Sequence, residues 1–131
     1  MAATKSRPLS PHLSIWRWGP HMLVSILHRI TGGALTVAGL AILVWWLLAL
    51  AQGGDAYQTF SDAAKHWAGI VVLVGLTWAF FQHTLSGIRH LIMDTGRGFE
   101  IRGNKKGAIA TVILSLLLTA AVWALILGRT A

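Results

Sequence analysis

"AGIVVLVGLTWAFFQHTLSGIRHLIMD", residues 68–94, decides the fold of this chain. From about Trp67 to Ile88 no Asp, Glu, Lys or Arg interrupts the apolar run. That is roughly the 20 residues needed to cross a hydrocarbon core. A lone strand cannot satisfy its backbone in lipid, so the run reads as a helix. Two further stretches have the same character, from about Ile30 to Ala51 and from about Gly107 to Gly128. The expected fold is therefore all-α and integral to a membrane, with three transmembrane helices behind an extended N-terminal arm.

Composition agrees. Of the 131 residues 55% are hydrophobic and only 11% charged, against roughly one quarter charged in an average soluble domain. A soluble chain this short has too little interior to hide that much apolar surface. The absence of cysteine excludes disulfides, thiolate zinc sites, iron–sulfur ligation and covalently attached c-type haem. The formal charge of +7 does not point to nucleic acid, because the basic residues flank the apolar runs, where they orient a chain in a bilayer. No nucleophile sits beside a base and no glycine loop could cradle a phosphate. Chemistry on a soluble substrate is not written here.

Charge also predicts direction. Lys5, Arg7, Arg17 and Arg29 precede or open the first span without an acidic residue among them, and Arg97, Arg102, Lys105 and Lys106 outnumber Asp94 and Glu100 in the second loop. The positive-inside rule puts the N-terminus and this loop inside and the C-terminus outside. One membrane-anchor domain is expected over 1–131: a cytoplasmic arm over 1–21, then spans over about 22–51, 65–93 and 107–128. The first apolar run is too long, and starts too far into the chain, for a cleaved signal peptide. "GGD" at 53–55 and "GRG" at 96–98 read as helix ends and turns.

Polar groups within the spans are the informative residues. At 100° per residue, Gly75, Ala79, His83, Gly87, His90 and Asp94 share one helix face, small residues first and polar ones after. Small residues admit a neighbouring helix or a flat group. His83 lies about 9 Å along the helix from Arg89, too deep to snorkel, and an ionisable group there is a functional candidate by default. A histidine that merely bonds a neighbouring helix is the equal alternative. His90 stands two turns away, about 10.5 Å by helical rise, so both cannot bind one iron. If His83 is a haem ligand, the opposite ligand comes from elsewhere. In "SILHRITGG", residues 25–33, Ser25 and Arg29 share a face, and His28 reaches the same region from the side. Arg29 is either a flanking positive-inside residue or a donor to a carboxylate or carbonyl oxygen. His12, His21 and His66 read as interfacial, and Trp78 as packing on a helix or a cofactor.

Three motifs in order, "RPLSPHLSIW" at 7–16, "SILHRITGG" at 25–33 and "HTLSGIRHLIMD" at 83–94, change the balance. Together they resemble the cytochrome b membrane-anchor family of succinate dehydrogenase, respiratory complex II, in its mitochondrial and alphaproteobacterial form. The third span matches in hydrophobicity alone. The resemblance implies that His83 is an axial ligand of one b-type haem, the other ligand coming from a second, smaller anchor subunit. It implies that Ser25 and Arg29 help form a ubiquinone-reduction site, and that His28, Arg29 and His90 lie near the haem propionates or around the ligand. The implied partners are that small anchor, an iron–sulfur subunit, a flavoprotein subunit and the lipid bilayer. The implied location is a bacterial inner membrane, and the implied activity is succinate:ubiquinone oxidoreduction by the whole complex. A haem-free scaffold that holds a peripheral dehydrogenase, or a fumarate reductase anchor, is the competing reading.

Overall fold

The computed structural model describes residues 18–130. The motif at 7–16 and most of the predicted arm lie outside these residues. Among the described residues every regular element is helical. α1 is Pro20–Ala34, followed by a π-helical turn over Leu35–Gly39 and then α2, Leu40–Gln52; α3 is Gly54–Lys65, α4 Trp67–Asp94 and α5 Ile101–Thr130. α1, the π turn and α2 form one continuous rod, and this rod, α4 and α5 are each long and apolar enough to cross a membrane.

Local chemistry sets the ends. Pro20 opens α1 behind an extended Gly19, where a missing N–H costs nothing and the fixed φ suits a helix. The rod stops at Gly53 and Gly54, whose φ of 65° and 48° lie in the left-handed region that glycine enters most easily. α4 stops in the same way. Thr95 caps it, Gly96 follows at φ 84°, and the Gly96 N–H donates to the Met93 carbonyl at 2.8 Å. "GGD" thus marks the junction between α2 and α3, and "GRG" the turn after α4, as their composition predicts.

Two features were not foreseen. The loop expected between the first two spans contains α3, an amphipathic helix that packs on α2 and α4. Phe60 meets the Trp45 ring edge-on with centroids 5.1 Å apart, which ties α3 back onto the rod. The π turn over Leu35–Gly39 is the other. Within it the Thr36 hydroxyl donates to the Gly32 carbonyl at 2.9 Å, and such turns bend a helix and shift its register. α5 also begins earlier than the apolar run, at Ile101, so the basic segment with Arg102, Lys105 and Lys106 continues its axis.

α4 is the central helix, packed between α1 and α5, and α5 also touches α1. The interior reverses the soluble pattern. Buried side chains are small or polar, among them Ala79, Ala108, Thr31, Gln82, Ser86 and Ser115, while leucines, isoleucines and tryptophans cover the outside. With lipid as apolar as leucine, helices gain nothing by hiding leucine from it. They associate through close packing and interhelical hydrogen bonds.

Candidate functional site

The α1–α4 contact gathers three imidazoles. His28 comes from the third turn of α1, and His83 and His90 from the C-terminal half of α4. The rings of His28 and His83 stack, centroids 4.1 Å apart and planes 8° from parallel. The His90 ring lies 5.2 Å from His28 at a tilt of 53°. Spacing on α4 puts His83 and His90 on one face, and only the packing of α1 inserts His28 beside both.

His83 is held by its Nδ1. That atom lies 3.1 Å from the His28 carbonyl oxygen and 3.4 Å from Thr31 Oγ1. A carbonyl can only accept, so Nδ1 carries the proton and Nε2 carries the lone pair. Thr31 is buried, and its hydroxyl donates to the Leu27 carbonyl at 2.7 Å. Gly32 makes the approach possible: a Cβ there would stand 2.9 Å from His83 Cε1, closer than real side chains allow. A Cβ on Gly87 would meet His28 Cε1 at 3.9 Å, an ordinary contact. Gly87 therefore leaves space beside the rings without being forced.

The other polar groups divide clearly. Ser25 is half-buried one turn before Arg29, which is exposed, so the pair presents a hydroxyl and a guanidinium along one edge of α1. Asp94, the last residue of α4, is exposed. Gly75, the deepest member of the predicted stripe, is exposed, whereas Ala79 is buried. His66 caps α4, its Nδ1 accepting from the Ala68 N–H at 3.4 Å. His21 lies in the first turn of α1, and His12 falls outside the described residues.

A second polar seam joins α4 to α5. Gln82 Nε2 donates to Ser86 Oγ at 3.0 Å, and Ser115 Oγ donates to Gln82 Oε1 at 2.8 Å, all three residues buried. Arg89 donates to the Asn104 side-chain oxygen, and Trp123 Nε1 donates to Thr77 Oγ1 at 3.3 Å. Sequence reasoning overlooked this seam. Its signal was there, since Asn104, Ala108, Thr111, Ser115 and Thr119 recur at spacings of three and four, one face of a helix, within an otherwise greasy run.

The donor set suits a haem on one side of its iron. A neutral histidine with Nδ1–H given to a carbonyl offers Nε2 to a metal, the usual arrangement behind an imidazole ligand. His28 Nδ1 is buried with no hydrogen-bond partner among the described residues, a polar atom that awaits an acceptor or donor from outside the chain. Residues 3–122 match the family model of the succinate dehydrogenase/fumarate reductase transmembrane subunit. The chain is 40% identical over 113 residues to the succinate dehydrogenase cytochrome b556 subunit of Paracoccus denitrificans, with 86% of each chain covered. It is 40% identical over 117 residues to the same subunit of Rickettsia felis, covering 89% of this chain and 90% of that one. It is also 36% identical over 117 residues to the mitochondrial cytochrome b560 subunit of Sus scrofa, covering 86% of this chain and 67% of that one.

Proposed function

Because the chain belongs to the family of succinate dehydrogenase/fumarate reductase transmembrane subunits, we propose that it anchors a succinate:ubiquinone oxidoreductase, supplies one axial ligand to a b-type haem, and forms part of the ubiquinone-reduction site. The observation that carries the reading is the His83 Nδ1 contact to the His28 carbonyl at 3.1 Å, which turns the Nε2 lone pair into the free coordinating atom. The geometry supports one ligand from this chain. His28 is committed to stacking on His83, and His90 lies beyond it. The opposite ligand then belongs to a second, smaller anchor subunit.

Bound there, a b-type haem supplies a one-electron store beside the quinone site. The chain's own residues do the rest. His83 would hold the iron through Nε2, Arg29 would offset propionate charge, a large effect where water is scarce, and His28 would hydrogen-bond a propionate. His90 completes the polar neighbourhood. Arg29 and Ser25, one turn apart, each donate a hydrogen bond to a quinone carbonyl oxygen. Negative charge develops on that oxygen as electrons arrive from an iron–sulfur subunit, itself fed by a flavoprotein subunit that oxidises succinate. Donors aimed at developing charge stabilise the reduced state more than the oxidised one. Arg97, between α4 and α5, and Arg102, Lys105 and Lys106, in the first turns of α5, would dock the iron–sulfur subunit on the inner side of a bacterial inner membrane, the orientation that loop charge favours.

The test is a dithionite-reduced minus oxidised spectrum of the gently solubilised complex, wild type beside His83→Ala. A sharp b-type α band in the wild type that is lost or weakened in the variant is the expected result. A band unchanged by the substitution would move the ligand to another residue, and no band in an intact multi-subunit preparation would leave the haem-free anchor.

A further inference from the structure

Thr31 and Gly32 lie outside every role given so far, yet both touch His83. Thr31 is 1% exposed and sits where α1 crosses α4. Its single hydroxyl proton goes to the Leu27 carbonyl at 2.7 Å, the shorter of its two backbone contacts; the His28 carbonyl is at 3.1 Å. Its lone pairs are left toward His83 Nδ1 at 3.4 Å. The Nδ1–H is therefore shared between two acceptors, the His28 carbonyl and the Thr31 hydroxyl. Gly32, the next residue, removes the one Cβ that would push the ring away, since it would stand 2.9 Å from Cε1 and 3.4 Å from Nδ1.

We propose that Thr31 and Gly32 are positioning residues that form a seat for the His83 ring, Gly32 by leaving room for its edge and Thr31 by accepting from its Nδ1–H, and that this seat lowers the midpoint potential of the haem His83 ligates. The inference rests on the ligand role proposed for His83. Its physical basis is general. An acceptor on the far nitrogen of a ligating imidazole draws the proton outward, makes the near nitrogen a stronger donor and favours the more highly charged metal. Hydrogen bonding to the ligating side chain is one of the few levers a protein holds over haem potential. Two acceptors pull harder than one. A backbone carbonyl cannot be altered by substitution, whereas the hydroxyl can, so Thr31 is the adjustable part of the seat.

The experiment uses the assembled, detergent-solubilised complex and measures the haem midpoint potential by redox titration, together with the ferric low-spin electron paramagnetic resonance spectrum. Thr31→Val keeps the shape and removes the acceptor; the α1 backbone bonds remain, so the helix survives. The expected result is retained haem with the ferric–ferrous equilibrium moved toward ferrous by up to about tenfold, about 59 mV for a one-electron couple. Thr31→Ser, which restores a hydroxyl, returns the potential to the wild-type value. Gly32→Ala is expected to shift the resonance g values by rotating the ligand plane. Loss of haem in Thr31→Val alone, with the subunits still co-purifying and Thr31→Ser normal, also supports the proposal. Identical potentials for wild type and Thr31→Val overturn the Thr31 role, as does haem loss in both Thr31 variants. Unchanged g values in Gly32→Ala remove Gly32 from the seat. His83→Ala keeps the two readings separable. If haem is unaffected by that substitution the ligand assignment itself has failed, whereas loss of haem there with no effect at Thr31 breaks only this inference.

Discussion

The two faces of α4 put their polar groups to opposite ends. Toward α5, polar side chains find partners in one another: Gln82 with Ser86 and Ser115, Arg89 with Asn104, Thr77 with Trp123. Toward α1, His28 and His83 stack, His83 Nδ1 donates to the His28 carbonyl and toward Thr31, and His28 Nδ1 is buried with no hydrogen-bond partner among the described residues. A buried polar atom left unpaired costs about 1–3 kcal/mol, and Trp78 Nε1 on α4 is a second such atom among the described residues. The α4–α5 bonds tie two helices together, whereas the α1–α4 contact sets the orientation of a histidine ring.

That contrast breaks most visibly at Arg29. Arg29→Ala is expected to lower ubiquinone reduction about a hundredfold, the usual consequence of losing one donor to developing charge, while succinate oxidation by a soluble artificial acceptor is retained. Parallel loss of both activities would make Arg29 an assembly residue and erase the distinction. Next in size is Asn104→Leu on the α5 side, which strips the acceptor from the Arg89 guanidinium. It should lower thermal stability of the solubilised complex by about 1.5 kcal/mol, the low end for a hydrogen bond to a charged group, without moving the haem spectrum. A spectral change there would show that the two seams communicate.

Smaller effects sharpen the same line. Gln82→Leu removes the buried link between α4 and α5. Interhelical hydrogen bonds in membranes average about 0.6 kcal/mol and reach about 1.7, so a loss in that range is expected from chemical or thermal unfolding, again with unchanged haem. Trp123→Phe should cost the least, at or below about 0.6 kcal/mol, because its bond to Thr77 is long at 3.3 Å and lies toward the far end of the bundle. If Gln82→Leu altered quinone reduction while Arg29→Ala did not, the chemistry would belong to the α5 side.

Much of this molecule was legible beforehand, and the reasons are specific. The three long helices follow from uninterrupted apolar length, and their stops from the paired glycines at 53–54 and the glycines at 96 and 98. α3 was read as a loop because a twelve-residue segment carries too few turns for its apolar face, with Phe60 and Ala64, to stand out from composition. The π turn leaves no compositional trace at all, since LTVAG at 35–39 reads like any other apolar stretch of the rod. On α5, leucines and isoleucines outnumber the small polar residues, so the stripe from Asn104 to Thr119 disappears into the average hydrophobicity even though its spacing is regular.

At the candidate site, spacing along one helix made His83 a candidate and set His90 two turns away from it. The pairing of Ser25 with Arg29 was equally local. What lay beyond sequence was every relation between helices: which face of α1 meets α4, that the His28 carbonyl and the Thr31 hydroxyl converge on His83 Nδ1, and that Gly32 is the residue whose missing side chain permits it. Sequence by itself determined the membrane class and the number of helices long and apolar enough to span a bilayer, because hydropathy and helical rise act along the chain. The tertiary structure alone decided which nitrogen of His83 is free, because a tautomer is set by whatever acceptor another helix brings within reach.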